Sequence, residues 1–302
     1  MTRELANFEY HLAKNLTDLT EKIQRRTYRH SGYRHILIQE KKRRDLAVAS
    51  VADRVVHRLV YDRLVEIFDR GFDADVYSGR RGKGLDKCQA CAQKLLYKHP
   101  TSTIWRLDVR KFYDNVDHQI LLKLLQRKIP TNGETFYLCR EIVKSYAAAK
   151  PSVGIPIGNL TSQIFANIYL SEFDRLVRQT IRPRGYLRYG DDALLICQNR
   201  QAAIRARDLG TKFLNQNLKL KVNPKNDAIF PAAAGAHFCG HCITAKYIVV
   251  DRRTTKSALG KVNPRNIASY QALKLAKWPH NELAWKILAQ LERAGLFDNG
   301  GY

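Results

Sequence analysis

Two short apolar segments that end on acids constrain this chain more than any other feature. Residues 105–109 read as a strand that closes on Asp108, and residues 186–197 alternate about a sharp turn at Gly190-Asp191-Asp192, as a hairpin does. A single acid at a strand end or hairpin tip reads as a solvated turn residue. An Asp-Asp pair between apolar strands is different, because each carboxylate raises the pKa of its neighbour unless a cation is bound. The pair also sits in a chain that is short of acids, with 28 Asp and Glu against 52 Lys and Arg and a formal net charge of +24. Since 45% of the 302 residues are hydrophobic and 10% aromatic, the chain can bury a core of two or three packed lobes. The charge therefore belongs to a folded protein and points to a polyanion such as nucleic acid, or to an anionic membrane surface. No run approaches the roughly 18 apolar residues of a membrane span.

Two carboxylates brought together from separate strands can hold two Mg²⁺ ions about 4 Å apart, the arrangement that supports in-line displacement at phosphorus. A positive surface beside such a site suits a polymerase or a nuclease. Composition and spacing leave open whether phosphodiesters are made or broken.

Around these segments the periodicity predicts an amphipathic helix over residues 5–26 and a β-hairpin over residues 35–49 with the basic tip Lys41-Lys42-Arg43-Arg44. Helices are expected at 51–68, 117–128, 134–149, 161–178 and 201–217. Residues 219–222 read as a strand, residues 236–250 as another hairpin, and the last fifty residues as two helices broken at Pro279. Tyr77-Ser78-Gly79-Arg80-Arg81-Gly82-Lys83-Gly84 is a basic, glycine-rich loop. The start lacks an apolar signal region, so a cytoplasmic location with six reduced cysteines is expected. Cys88-x-x-Cys91 and Cys239-x-x-Cys242 lie about 150 residues apart, far beyond the roughly 12–20 residues between the halves of a zinc site, so no structural zinc is expected.

The ordered set of motifs resembles the reverse transcriptases. Leu107-Asp108-Val109-Arg110-Lys111-Phe112-Tyr113 looks like their first palm motif, and Gly154-Ile155-Pro156-Ile157-Gly158-Asn159-Leu160-Thr161-Ser162-Gln163 looks like the second. Tyr189-Gly190-Asp191-Asp192 matches the Tyr-x-Asp-Asp box, over a resemblance that covers roughly residues 30–250. Ser162-Gln163, Asp53-Arg54-Val55-Val56-His57 and Gly82-Lys83-Gly84 resemble the diversity-generating retroelement class. Ala193 and Asp114-Asn115 depart from that class, the latter toward intron-type enzymes.

The resemblance implies an α+β right hand: fingers over residues 1–104, an RRM-like palm sheet over 105–250 with a fingers segment at about 130–155, and a short helical thumb over 251–302. It implies RNA-directed DNA synthesis with two Mg²⁺ ions, or Mn²⁺ in their place, held by Asp108, Asp191 and the carbonyl of Val109, with Asp192 at the same site. Tyr113 stands where the family places a steric gate, so dNTPs are the expected substrate. Arg44, with Lys42 and Arg43, stands where the triphosphate is clamped, and Gly158 and Gln163 lie in the nucleotide-facing motif. Lys225 resembles the lysine that protonates pyrophosphate. Ile157 stands where many relatives carry Gln; losing that hydrogen bond, on the order of 1 kcal/mol, implies a roughly tenfold loss of selectivity and error-prone copying.

Arg80, Arg81 and Lys83 in the loop, and Lys256, Lys261, Arg265 and Lys274 in the thumb, are expected to grip template RNA and the primer-template duplex. A small basic accessory protein, a bacterial, archaeal or phage source and a bare polymerase core are further implications. Group II intron-like, CRISPR-associated or phage-defence enzymes are the nearest alternatives, and a non-catalytic RNA-binding scaffold is the alternative of another class.

Overall fold

The structure is a computed structural model in which residues 2–39 and 43–251 are described. The expected α+β class is observed. A four-stranded antiparallel sheet lies at the centre, in the order β4-β5-β3-β6, with β3 at Thr103–Asp108, β4 at Gly185–Tyr189, β5 at Asp192–Cys197 and β6 at Ala228–Pro231. Alternation along β3 sends Trp105 and Leu107 to one face and Ile104 and Arg106 to the other.

Both faces are covered. Trp105, Leu107 and Leu195 join a core with helices α5 (His118–Gln126), α7 (Leu160–Leu176) and α8 (Arg200–Leu218). Trp105 packs so close to α8 that a β-carbon at Gly210 would lie 2.5 Å from its ring, which explains a glycine in mid-helix. On the opposite face Ile104, Leu187, Leu194 and Ile196 meet α4 (Leu85–Lys98) and a small sheet of β7 (Ala236–Phe238), β8 (His241–Ile243) and β9 (Ile248–Val250). A sheet buried on both sides explains why its strands read as nearly continuous apolar runs.

The first core crosses the expected boundary at residue 104. Leu19, Val56 and Leu64, from α2 (Leu12–Gln24) and α3 (Val51–Phe68), pack in the same cluster as Leu107 and Tyr169. The hairpin of β1 (Arg34–Gln39) and β2 (Arg43–Val48) projects from this body.

Several sequence expectations are corrected. The single helix over 5–26 is two, α1 (Arg3–Tyr10) and α2, broken at His11. The helix expected to reach residue 149 ends at Lys144, as α6 (Glu134–Lys144). The strand over 219–222 is only an isolated bridge between Val109 and Val222; Lys219 takes a left-handed conformation, with φ of 54°, and its ammonium bonds Asp117. The edge strand is β6 instead, which was missed because it carries no clear alternation. The expected thumb, with Lys256, Lys261, Arg265 and Lys274, lies outside the described residues.

Candidate active site

Antiparallel register places Asp108, the last residue of β3, directly opposite Asp192, the first of β5. Gly190 takes a left-handed conformation, with φ of 64°, and makes the tight turn that delivers Asp191 beside them. The Val109 N–H donates to the Asp191 carbonyl at 3.3 Å and fastens the strand end to the turn. Burial, reinforced by the negative charge of Asp108, lifts the Asp191 carboxyl well above the usual carboxylate range. Asp192 is pushed up to about 6 by burial, although Arg106 donates to both of its oxygens, from Nε at 3.1 Å and Nη2 at 2.8 Å.

Asp192 is therefore already paired within the chain, whereas among the described residues no cationic side chain forms an ion pair with Asp191 or Asp108. Among the described residues no three His, Cys, Asp or Glu side chains converge into a closed metal cage. That arrangement fits Mg²⁺, which is held through one or two carboxylates plus substrate phosphates. Crowded carboxylate oxygens of this kind are a set whose mutual repulsion a hard divalent cation would relieve.

The turn rests on a buried polar platform. Arg188, 1% exposed, donates from Nε and Nη2 to Asp174 on α7 at 2.8 and 2.6 Å, and the Tyr186 hydroxyl donates to the same carboxylate at 2.5 Å. Its Nη1 donates to the Gly190 carbonyl at 2.8 Å, so the ion pair holds the backbone beside Asp191. From the other side, residues 75–77 run along the edge of β4: Arg188 N–H donates to the Asp75 carbonyl, and Tyr77 N–H to the Arg188 carbonyl.

Of the expected nucleotide-facing residues, Tyr113 lies within the field of this centre. Tyr113 packs edge-on against Phe112 at 5.4 Å between centroids. Burial, and then the charge of Asp191, pushes its hydroxyl up to about 12. The Tyr113 carbonyl accepts from Ile155 N–H at 2.8 Å and thereby aligns the loop that carries Ile157 and Gly158. Gly158 is left-handed, with φ of 101°, and Gln163 is exposed on the first turn of α7 beside Gly79. Asn159 donates to the Ala47 carbonyl at 2.8 Å, tying that loop to β2. Arg43 and Arg44 lie in β2, paired through the backbone with Gln39 and Ile38, and Lys42 lies outside the described residues.

The basic loop divides. Arg80 spends its guanidinium internally, on Asp69 and on the carbonyls of Asp69, Asp73 and Val76, and Lys83 donates to the Ala74 carbonyl. Arg81 is exposed. Lys225 is exposed on a turn whose neighbours Asn223 and Asn226 both reach Asp108.

Sequence reasoning missed Arg106, Arg188, Asn223 and Asn226. A signal for the two arginines was present: a charge inside an otherwise apolar strand requires a buried partner. The two asparagines carried none, because turn residues of that kind are ordinary.

The family model for reverse transcriptase (RNA-dependent DNA polymerase) matches residues 31–243. Among curated proteins, the chain is similar to protein YkfC of Escherichia coli (strain K12), 23% identical over 76% of this chain and 70% of that protein. It is also similar to the group II intron-encoded protein LtrA of Lactococcus lactis subsp. cremoris, 28% identical over 46% of this chain but only 24% of LtrA. Among solved structures, telomerase from Candida albicans in complex with a fragment of telomeric RNA aligns with a TM-score of 0.56 at 14% identity, over 90% of this chain and 54% of that one. That likeness is one of fold, and the chain spans about half of the telomerase. No helix among the described residues is long and apolar enough to cross a membrane. The matched span contains β3 with Asp108, the loop at 154–163 and the turn with Asp191 and Asp192, and the chain belongs to the reverse transcriptase (RNA-dependent DNA polymerase) family.

Proposed function

We propose that this chain copies RNA into DNA by nucleotidyl transfer, with dNTPs as substrate and with error-prone copying in a diversity-generating retroelement as its setting. The observation that carries the chemistry is the meeting of Asp108, at the end of β3, with Asp191, in the turn between β4 and β5, beside the half-buried Tyr113. Asp108, Asp191 and the Val109 carbonyl would hold two Mg²⁺ ions, which when bound supply activation of a 3′-hydroxyl and charge neutralisation on the departing pyrophosphate.

The remaining tasks fall to the chain's own groups. Tyr113 excludes a 2′-hydroxyl by its bulk. Arg44, with Lys42 and Arg43, clamps the triphosphate. Gly158 and Gln163 line the path of the incoming nucleotide, and Lys225 returns a proton to pyrophosphate. Asp192, whose oxygens accept from Arg106, is the third member of the same carboxylate site. Arg81 serves as a phosphate contact, along with Lys256, Lys261, Arg265 and Lys274; Arg80, already committed to Asp69, shapes the loop. A structured template RNA, and a small basic accessory protein that helps select it, are the expected partners.

Ser162-Gln163 and Ile157 favour the diversity-generating setting. The similarity to LtrA favours a group II intron-like setting as the second reading. Primer extension on a heteropolymeric RNA template, with the cDNA sequenced, separates them. The first reading expects frequent misincorporation opposite template adenine that falls about tenfold in Ile157→Gln. A wild-type spectrum without that bias, or one unmoved by the substitution, contradicts it.

A further inference from the structure

One oxygen of Asp108 is spoken for before any substrate arrives. Its Oδ2 accepts from Asn223 Nδ2 at 2.9 Å and from Asn226 Nδ2 at 2.7 Å. The amide orientations are forced by chemistry, since an ionised carboxylate only accepts. They are supported independently: Asn223 Oδ1 is the acceptor for Lys225 N–H at 3.2 Å, which leaves its Nδ2 to face Asp108.

The backbone reinforces the same attachment. Asn223 N–H donates to the Asp108 carbonyl at 2.7 Å, Arg110 N–H donates to the Lys221 carbonyl at 2.8 Å, and Asn226 N–H closes the turn on the Asn223 carbonyl at 2.9 Å. Two side-chain donors on one oxygen fix the rotation of the carboxylate about its own axis and leave Oδ1 without an amide donor among the described residues. The turn that fixes this rotation also carries Lys225 on its exposed side. Asp192 is held differently, with each of its oxygens accepting one bond from Arg106.

We propose that Asn223 and Asn226 are positioning residues that present Asp108 to the divalent ion through one oxygen and hold the Lys225 turn in register with it. This rests on the reading of Asp108 as a metal ligand. Groups that orient a ligand from behind typically change metal affinity by about 10- to 100-fold when removed, so the predicted effect is on the metal and not on nucleotide recognition. Asn226→Asp is the more severe substitution: it keeps the shape, removes the Asn226 donor and sets a second carboxylate against Oδ2.

The test uses the full chain bound to a dideoxy-terminated primer on an RNA template with a matched dNTP, so that no chemistry occurs, and reads Mn²⁺ binding by electron paramagnetic resonance. N226A and N226D are expected to weaken Mn²⁺ binding roughly tenfold or more, with N226D the weaker. In extension assays, the Mn²⁺ concentration for half-maximal rate should rise by a similar factor, while KM for dNTP and primer-template affinity stay within about twofold. In a D108A background N226A should add no further loss, because the oxygen it orients is gone. N226D, which preserves side-chain shape, carries the test if N226A fails to fold. If both Asn226 variants bind Mn²⁺ as wild type does while D108A has lost it, the positioning role is overturned and the reading of Asp108 stands. If D108A itself retains wild-type Mn²⁺ binding, the reading of Asp108 is overturned, and the positioning role with it.

Discussion

The turn that carries Asp191 rests on a buried ion pair, whereas the turn at residues 223–226 is fastened to Asp108 by two side-chain amides at a half-exposed surface. Both turns meet the same carboxylate centre, so the difference lies in what each attachment is made of. Arg188 and Asp174 are withdrawn from water, and their geometry is set by bidentate bonds that cannot loosen without leaving an unpaired charge in the core. Asn223 and Asn226, themselves half-buried, hold one oxygen of a half-buried carboxylate whose other oxygen is left for the metal ion. One side of the centre is built into the stability of the fold. The other adds orientation at little cost in folding free energy.

Arg188→Met should break this contrast most severely. It leaves Asp174 buried with only the Tyr186 hydroxyl and the Asn167–Gly190 side of the platform unsupported, and removing one partner of a buried pair costs about 3–5 kcal/mol. Chemical denaturation should report that loss together with a loss of extension activity. A variant that keeps wild-type stability would show that the ion pair is not the anchor of the turn.

A third buried site, beneath the loop at 154–163, should respond to pH. His57 Nδ1 lies 2.6 Å from the Thr161 hydroxyl and His57 Nε2 lies 3.0 Å from His30 Nε2, with Asp53 behind them accepting from Tyr28, Ser50 and Ser31. Burial, helped by His30, lowers the His57 pKa to about 4 from its ordinary 6.5. The unfolded chain therefore binds this proton more readily, so the contribution is complete above about pH 6.5 and is lost as pH falls toward 4, reaching about 2 kcal/mol at pH 5. Asp191 and Asp192, whose folded pKa values are raised, act in the opposite sense, and acid relieves them. The difference between wild type and His57→Gln, measured by denaturation at pH 7.5 and pH 5, isolates the histidine. Equal pH dependence in the two proteins would remove it from the account.

The smallest effect on folding belongs to Asn226→Ala. Replacing a half-exposed hydrogen bond should cost only about 1 kcal/mol, well below the loss in Arg188→Met. A loss as large as that of Arg188→Met would erase the distinction between the two attachments.

The contrast also sets what was legible in the sequence. Asp108, Asp191 and the strands that flank them could be read because a twice-buried sheet writes itself as apolar runs, and acids at the ends of such runs stand out. The break at His11 could not be read, since the apolar spacing continues across it from α1 to α2. Nor could the bridge at Val222 be told from a strand, because two or three apolar residues suit either. Arg80 looked like a phosphate ligand because its loop is basic and rich in glycine. Its partner Asp69 lies eleven residues back, and only the fold brings them to 2.7 Å. Asn223 and Asn226 look like turn residues and are turn residues; their bonds to Asp108 depend on contacts across more than a hundred residues.

The end of β3 and the turn between β4 and β5 unite Asp108 and Asp191 into the proposed reacting centre of an RNA-copying enzyme. Single-turnover extension of a primer on an RNA template, run on wild type and Asp191→Ala with primer-template affinity measured in parallel, tests it most directly. Wild type should yield cDNA, whereas Asp191→Ala should lose at least about a thousandfold in rate, on the order of 4 kcal/mol of transition-state stabilisation, with unchanged affinity for the primer-template. Extension by Asp191→Ala at the wild-type rate, or no cDNA from either protein while both bind the template, would contradict it.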